Sequence, residues 1–233
     1  MKSIRSAAGV STLAVGLACL LSGCGGSTNS NSNINFKAFD AIYNGGNAVV
    51  NASGAAPINL TVPDTTASPT YEGASAGTQT ASFTLSLPSA FTSPTYPTSL
   101  NSGAFYTAAL VGIAGVASTD ARYPKLLLMG DDQTSPASND SRIRVVQAAP
   151  DAGSVNVFIN GVDVSYNTTY SVYTGYSELA AANATVSVVS TTGSTTLVPS
   201  TVFSTVAGHR YTLYVTEPTT SPATYAFQLQ EDS

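Results

Sequence analysis

Apolar and polar residues alternate with a period of two along most of this chain. Val155, Val157 and Ile159 follow the pattern, as do Ala184, Val186 and Val188; Tyr211, Leu213 and Val215; and Tyr225, Phe227 and Leu229, with mostly polar or small residues between. Successive side chains of a strand point to opposite faces, so the pattern predicts strands with one face on a core and the other towards solvent. Phe83, Leu85 and Leu87 repeat it in the earlier half, and Tyr106, Ala108 and Leu110 do so more faintly. Beyond residue 33 no apolar 3.6-residue period lasts three turns, and the best helical stretch, Ser177 to Ala184, offers a turn or two. The chain reads as all-β.

The two halves resemble each other. Ser53-Gly54 corresponds to Asn160-Gly161, Tyr71 to Tyr176, and the run from Gly103 to that from Gly208, all at separations of 105 to 107 residues. A closing strand follows each, KLLLMGDD from Lys125 and AFQLQEDS from Ala226. A nearly constant offset points to duplication of one β unit. The expected organisation is a degenerate sandwich over residues 34–132, a polar, acidic linker at 133–140, and a second sandwich over 141–233.

Upstream of these, Lys2 and Arg5 precede an apolar run from Leu13 to Leu21, too short for a permanent membrane span. Leu21-Ser22-Gly23-Cys24 follows directly and resembles the bacterial lipobox, in which the cysteine thiol takes a diacylglyceryl group and becomes the N-terminus after cleavage. Residues 1–23 therefore read as a lipoprotein signal peptide, Cys24 as the lipidation site, and 24–33, rich in Gly, Ser and Asn, as a flexible tether. Gly25 is not the aspartate that resembles an inner-membrane retention signal, which favours the outer membrane where the source has one.

Composition narrows the function classes. Among 233 residues there are 8 Lys+Arg against 13 Asp+Glu, a net charge of −5, so nucleic acid is not an expected partner. Hydrophobic residues make up 43% of the chain, including 8 Phe and 12 Tyr, which is enough for a core. With one His, and with Cys24 assigned to lipid, no transition-metal site is expected. No phosphate loop or dinucleotide fingerprint occurs, and no cofactor is implied.

At Arg142 begins the run RIRVVQAAPDAGSVNVFING, ending at Gly161. It resembles the opening of a bacterial family called domain of unknown function 4397, whose usual form is close to R-V-V-H-A-S-P-D-A-P-A-V-D-V-Y-V-D-G. Gln147 stands where the family commonly has His, and Gly153 where it commonly has Pro. The resemblance continues through Tyr176 and the G-x-x-Y-T-L run at Gly208, covering most of residues 141–231, while the first half keeps a faded version from Ile34. It implies immunoglobulin-like or transthyretin-like sandwiches on secreted and surface proteins, and no particular activity. Read physically, Arg142 to Gln147 is a strand, Ala148 to Gly153 a turn, Ser154 to Ile159 a returning strand, and Asn160-Gly161 a tight turn with positive φ.

Candidate chemistry is sparse. Gly73-Ala74-Ser75-Ala76-Gly77 fits G-x-S-x-G, with Asp120 or Asp163 and then His209 in hydrolase order, but the elbow needs a buried strand before the serine and a helix after it, and neither is expected. Asp131, Asp132 and Asp140 supply oxygens without the alternation of a calcium loop and read as a solvated acidic linker. Tyr166, Tyr170 and Tyr173 form the candidate ligand surface, since exposed tyrosines can stack on sugars or anchor a protein, while Tyr176 reads as a structural corner. The leading expectation is a membrane-anchored, non-catalytic envelope or surface lipoprotein with a binding or structural role towards polysaccharide or protein. The alternative is a serine hydrolase using Ser75 and His209.

Overall fold

The computed structural model describes residues 33–43, 48–52, 58–60, 71–75, 77–85, 91–92, 96–101, 103–220 and 223–232. All belong to the second of the chain's two units, Asn31–Ser233. The first repeat contains β1 (Asn33–Tyr43), β2 (Ala48–Ala52), β3 (Ile58–Leu60), β4 (Glu72–Ser75), β5 (Gly77–Leu85), β6 (Phe91–Thr92), β7 (Tyr96–Leu100), β8 (Phe105–Ile113) and β9 (Lys125–Gly130). The second contains β10 (Asp140–Gln147), β11 (Val155–Ile159), β12 (Val162–Asp163), β13 (Ser177–Ala180), β14 (Asn183–Ser190), β15 (Thr196–Ser204), β16 (Arg210–Thr220) and β17 (Ala223–Glu231), with a 3-10 turn at Pro150–Ala152.

Each repeat is a two-sheet sandwich. One sheet has the order β4-β1-β8-β9 in the first repeat and β13-β10-β16-β17 in the second, and its facing sheet β3-β2-β5-β6, with β7 also on β5, or β12-β11-β14-β15. The ladders match residue for residue. Lys37 lies opposite Thr107 in the parallel pair β1/β8, and Arg144 opposite Thr212 in β10/β16; Ala48 opposes Leu85, and Val155 opposes Ser190. The chain is a tandem repeat of one β-sandwich.

Alternation builds each core. Ile143 and Val145 from β10, Val155, Val157 and Ile159 from β11, Ala184, Val186 and Val188 from β14, and Tyr211, Leu213 and Val215 from β16 form one buried cluster. Ile34, Phe36, Ala38, Ala48, Ala108 and Leu110 belong to its counterpart in the first repeat. Each aliphatic side chain removed from water contributes about 1.5–3 kcal/mol. Asn160 (φ 50°) and Gly161 (φ 79°) make the left-handed turn into β12 that the Asn-Gly pair predicts.

Three expectations change. Ser177–Ala180 is not helical: it is β13, paired antiparallel to Asp140–Ile143, because an open sheet edge satisfies its backbone where its weak helical preference does not. The strand after the 148–153 turn does not return beside β10 but crosses to the facing sheet and pairs with β14. Lastly, the sheets of β1 and β10 do not turn their second face to water. Phe39, Ala109 and Met129 of the first repeat pack there with Val146 and Tyr214 of the second.

Candidate functional site

Where these two faces meet, the outward positions of the strands carry charge. Lys37 and Arg144 are each 1% exposed, Asp131 6% and Asp232 0%, so four ionisable side chains lie between the repeats out of contact with water. Asp131 follows β9 and Asp232 follows β17. On Asp131, Oδ2 accepts from Thr107 Oγ1 at 2.6 Å and from the Tyr71 hydroxyl at 2.9 Å, while Oδ1 meets Arg144 Nη2 at 2.6 Å. On Asp232, Oδ2 accepts from Thr212 Oγ1 at 2.5 Å and the Tyr176 hydroxyl at 2.9 Å, and Oδ1 accepts from Lys37 Nζ at 2.7 Å. Each carboxylate takes its hydroxyl donors from its own repeat and its shortest ion pair from the other, with Arg144 Nη2 also 4.0 Å from Asp232 Oδ2.

The pattern is a pseudo-twofold exchange. Lys37 Nζ sits 4.9 Å from the Tyr71 ring centroid, and the Arg144 guanidinium 4.9 Å from that of Tyr176. Phe39 and Tyr214 stack across the junction with ring centroids 3.9 Å apart. Burial, then Asp131, raises the Tyr71 hydroxyl far above its ordinary range, and burial, then Asp232, does the same for Tyr176, so both remain protonated donors. Burial alone would lower Arg144, but Asp232 and Asp131 outweigh it and hold the guanidinium charged. Buried charges are tolerated only when paired and hydrogen-bonded, as here. Their bonding is mutual, so the arrangement is a latch between repeats.

A second contact flanks it. Tyr170 donates to the Tyr123 carbonyl at 3.4 Å and lies under Lys125 Nζ, 4.7 Å from its ring centroid. Gly112 (φ +131°) makes room, since a Cβ there would stand 2.9 Å from the Tyr170 hydroxyl and 2.8 Å from Pro124 Cα. Nearby, Arg122 joins Asp120 at 2.8 Å and reaches Asp151 of the second repeat at 3.4 Å. Glu217 accepts from the Asp151 amide at 2.9 Å; burial, aided by the charge of Asp151, pushes its carboxyl up to about 7.

The facing sheet of the second repeat presents a different surface. Asn156 and Phe158 on β11 and Val189 on β14 form the floor of an open cleft of about 430 Å³, with Tyr166–Asn167 on one side and the Thr191–Ser194 turn on the other. The Tyr166 side chain is 85% exposed. Its backbone is pinned: Asn167 N donates to Asn156 Oδ1 at 2.7 Å, Thr168 N to the Val155 carbonyl at 2.9 Å, and Thr168 Oγ1 to the Ser165 carbonyl at 3.1 Å. Ser165 Oγ in turn accepts from Val157 N at 2.9 Å. Asn167 (φ 51°) and Ser194 (φ 52°), both left-handed, shape the two walls.

The residues singled out in the sequence are dispersed. Tyr166 and Tyr173 lie at the surface, while Tyr170 is turned against the first repeat and is withdrawn from the ligand surface. Ser75 ends β4, and β5 follows at Gly77, so the G-x-S-x-G run passes from strand to strand with no helix. His209 Nδ1 contacts Glu231 Oε1 at 2.7 Å, Asp120 holds Arg122, and Asp163 caps the Ser165 amide at 3.0 Å. Of the expected solvated acids, Asp131 is instead a buried member of the latch, while Asp132 pairs with Arg142 at 2.8 Å. Gln147 braces the 148–153 turn, donating to the Gly153 carbonyl at 3.1 Å and accepting from Ala149 N at 3.0 Å. Cys24 lies outside the described residues. Among those described, no group of three or more His, Cys, Asp or Glu side chains could hold a metal ion.

The latch escaped the sequence reading because strand periodicity assigns Lys37, Thr107, Arg144 and Thr212 to solvent. Superposing the two halves would have exposed it, since both place a cation, a threonine and a tyrosine at equivalent positions.

Fold and junction together define a tandem β-sandwich protein whose repeats share one buried polar seam. The chain belongs to the DUF4397 family, described as a domain of unknown function, which matches it twice, at residues 37–158 and 141–233. No curated protein matches it.

Proposed function

We propose that this is a non-catalytic lipoprotein, anchored through Cys24 to the cell envelope, outer membrane where present, whose paired sandwiches form a rigid body for binding a polysaccharide or protein. The observation that carries the binding role is Tyr166, a large aromatic 85% exposed on a loop whose backbone is fixed by hydrogen bonds. A solvated aromatic held in place loses little freedom on binding, which suits a recognition surface. The lipobox and the Gly-, Ser- and Asn-rich tether support the location, and the net charge of −5 argues against nucleic acid as partner.

Replacing Cys24 with Ser and fractionating cells tests the anchor: the variant leaves the membrane fraction, and full retention there overturns it. The serine hydrolase reading, with Ser75 and His209, is the weaker one. His209 contacts Glu231, and Ser75 stands in a ladder opposite Asn33. Ester hydrolysis by the purified protein that vanishes in Ser75→Ala would reverse this ranking.

A further inference from the structure

We infer that the cleft beside Tyr166 is a binding site for a neutral glycan. This rests on the reading of the protein as a binding module and names the ligand class and its place. Nothing charged lines the cleft: its residues are Asn156, Phe158, Tyr166, Asn167, Val189, Ser190, Thr191 and Ser194. An anionic or cationic ligand would find no counter-charge there, and the acidic chain disfavours anions further.

What the cleft does offer is the complement of a sugar ring. Tyr166 and the half-buried Phe158 supply apolar faces for the C–H side of a pyranose, and each aromatic face is backed by a fixed strand or strap. Hydroxyls need partners that both donate and accept, which amides and hydroxyls are and ions are not. Asn156 uses its Oδ1 on Asn167 N, which orients its amide nitrogen as a donor. Among the described residues the Asn167 carboxamide and the Ser194 hydroxyl make no hydrogen bond of their own, although both flank the opening. The volume, about 430 Å³, falls within the range of roughly 300–1,000 Å³ common for small-ligand sites. Openness at the sheet face suits a residue within a longer chain rather than an engulfed small molecule.

The site belongs to the second repeat. Val155 pairs with Thr168 where Ala48 pairs with Leu60, so Ile58 and Asn59 occupy the places of Tyr166 and Asn167, and Asn51 that of Phe158. At these described positions the first repeat carries no aromatic residue.

The test is affinity electrophoresis of the full-length protein through gels carrying a soluble α-glucan, β-glucan, mannan or galactan, with polygalacturonate as the acidic comparison. At least one neutral polymer retards the protein, and Tyr166→Ala weakens that retardation roughly tenfold or more with an unchanged melting temperature. Retardation by polygalacturonate alone, by no polymer, or undiminished in Tyr166→Ala overturns the inference. A companion assay on isolated envelopes, run with the Cys24→Ser protein so that no lipid anchor contributes, separates it from the broader reading. Binding that periodate oxidation of the envelope abolishes supports a glycan, binding that survives periodate overturns the glycan while leaving a binding module, and absence of binding before treatment removes both.

Discussion

Two surfaces of the second sandwich begin from the same sequence pattern and end differently. At the centre of β10 and β16 the outward residues are Arg144, Val146, Thr212 and Tyr214; on β11 and β14 they include Asn156, Phe158 and Val189. The first face carries the stronger charge and is buried at its centre; the second carries no charge at its cleft and stays open. A strand's own composition therefore does not decide which of its faces meets water. What decides is whether a partner supplies the missing half of each interaction, and the first repeat does so for Arg144 through Asp131, whereas Tyr166 stays 85% exposed.

The largest effect is expected at the latch. Asp232→Ala strands Lys37 as a buried cation and leaves Thr212 and Tyr176 without their acceptor, so the unfolding free energy falls by about 3–5 kcal/mol in denaturant titration. A loss below about 1 kcal/mol would show that the junction opens to water. Replacing Lys37 with Met and Asp232 with Leu together recovers the part of that loss due to the stranded ammonium, while the part due to the unmet Thr212 and Tyr176 hydroxyls remains.

Tyr170→Ala comes next, costing about 2 kcal/mol as a half-buried aromatic between repeats, with Tyr170→Phe close to wild type because its hydroxyl bond is long, at 3.4 Å. The same assay as a function of pH isolates Glu217. Its carboxyl is raised in the folded state from 4.5 to about 7, so across that window the folded chain holds a proton that the unfolded chain has released. Stability therefore declines as pH rises from about 4.5 to about 7 and levels off above. In Glu217→Gln that decline flattens, and an unchanged slope would assign it to other groups. Asp151 repels the Glu217 carboxylate and Arg122 attracts it, so Arg122→Ala steepens the decline.

The smallest change in stability belongs to the open face. Tyr166→Ala stays within about 0.5 kcal/mol of wild type, as expected for an exposed side chain without internal partners, and a larger loss would mean that the ring supports the fold.

Much of the architecture was legible in the chain. Period-two alternation marked the core strands, and matched signposts at Tyr71 and Tyr176 marked the duplication. The seam was not, because a lysine or arginine at an outward strand position has the same sequence signature whether it faces water or a second sandwich. Asp131 sits beside Asp132 in a polar stretch, and nothing local distinguishes the acid that turns inward from the one that pairs at the surface. The tyrosines show the same: Tyr166 and Tyr170 are four residues apart, yet one stands in solvent and the other rests on the first repeat.

The exchange of cations also orders events in time. Lys37 and Asp232 are 195 residues apart, so among the described residues the ammonium on β1 gains its counter-ion only when the segment after β17 is in place. Contacts that distant close slowly, since the loop entropy precedes the reward. A first sandwich emerging alone would have to leave Lys37 hydrated and its seam ajar. The repeats therefore reach their native state as a pair, and a chain halted between them would hold a sandwich with a wet, charged and sticky face.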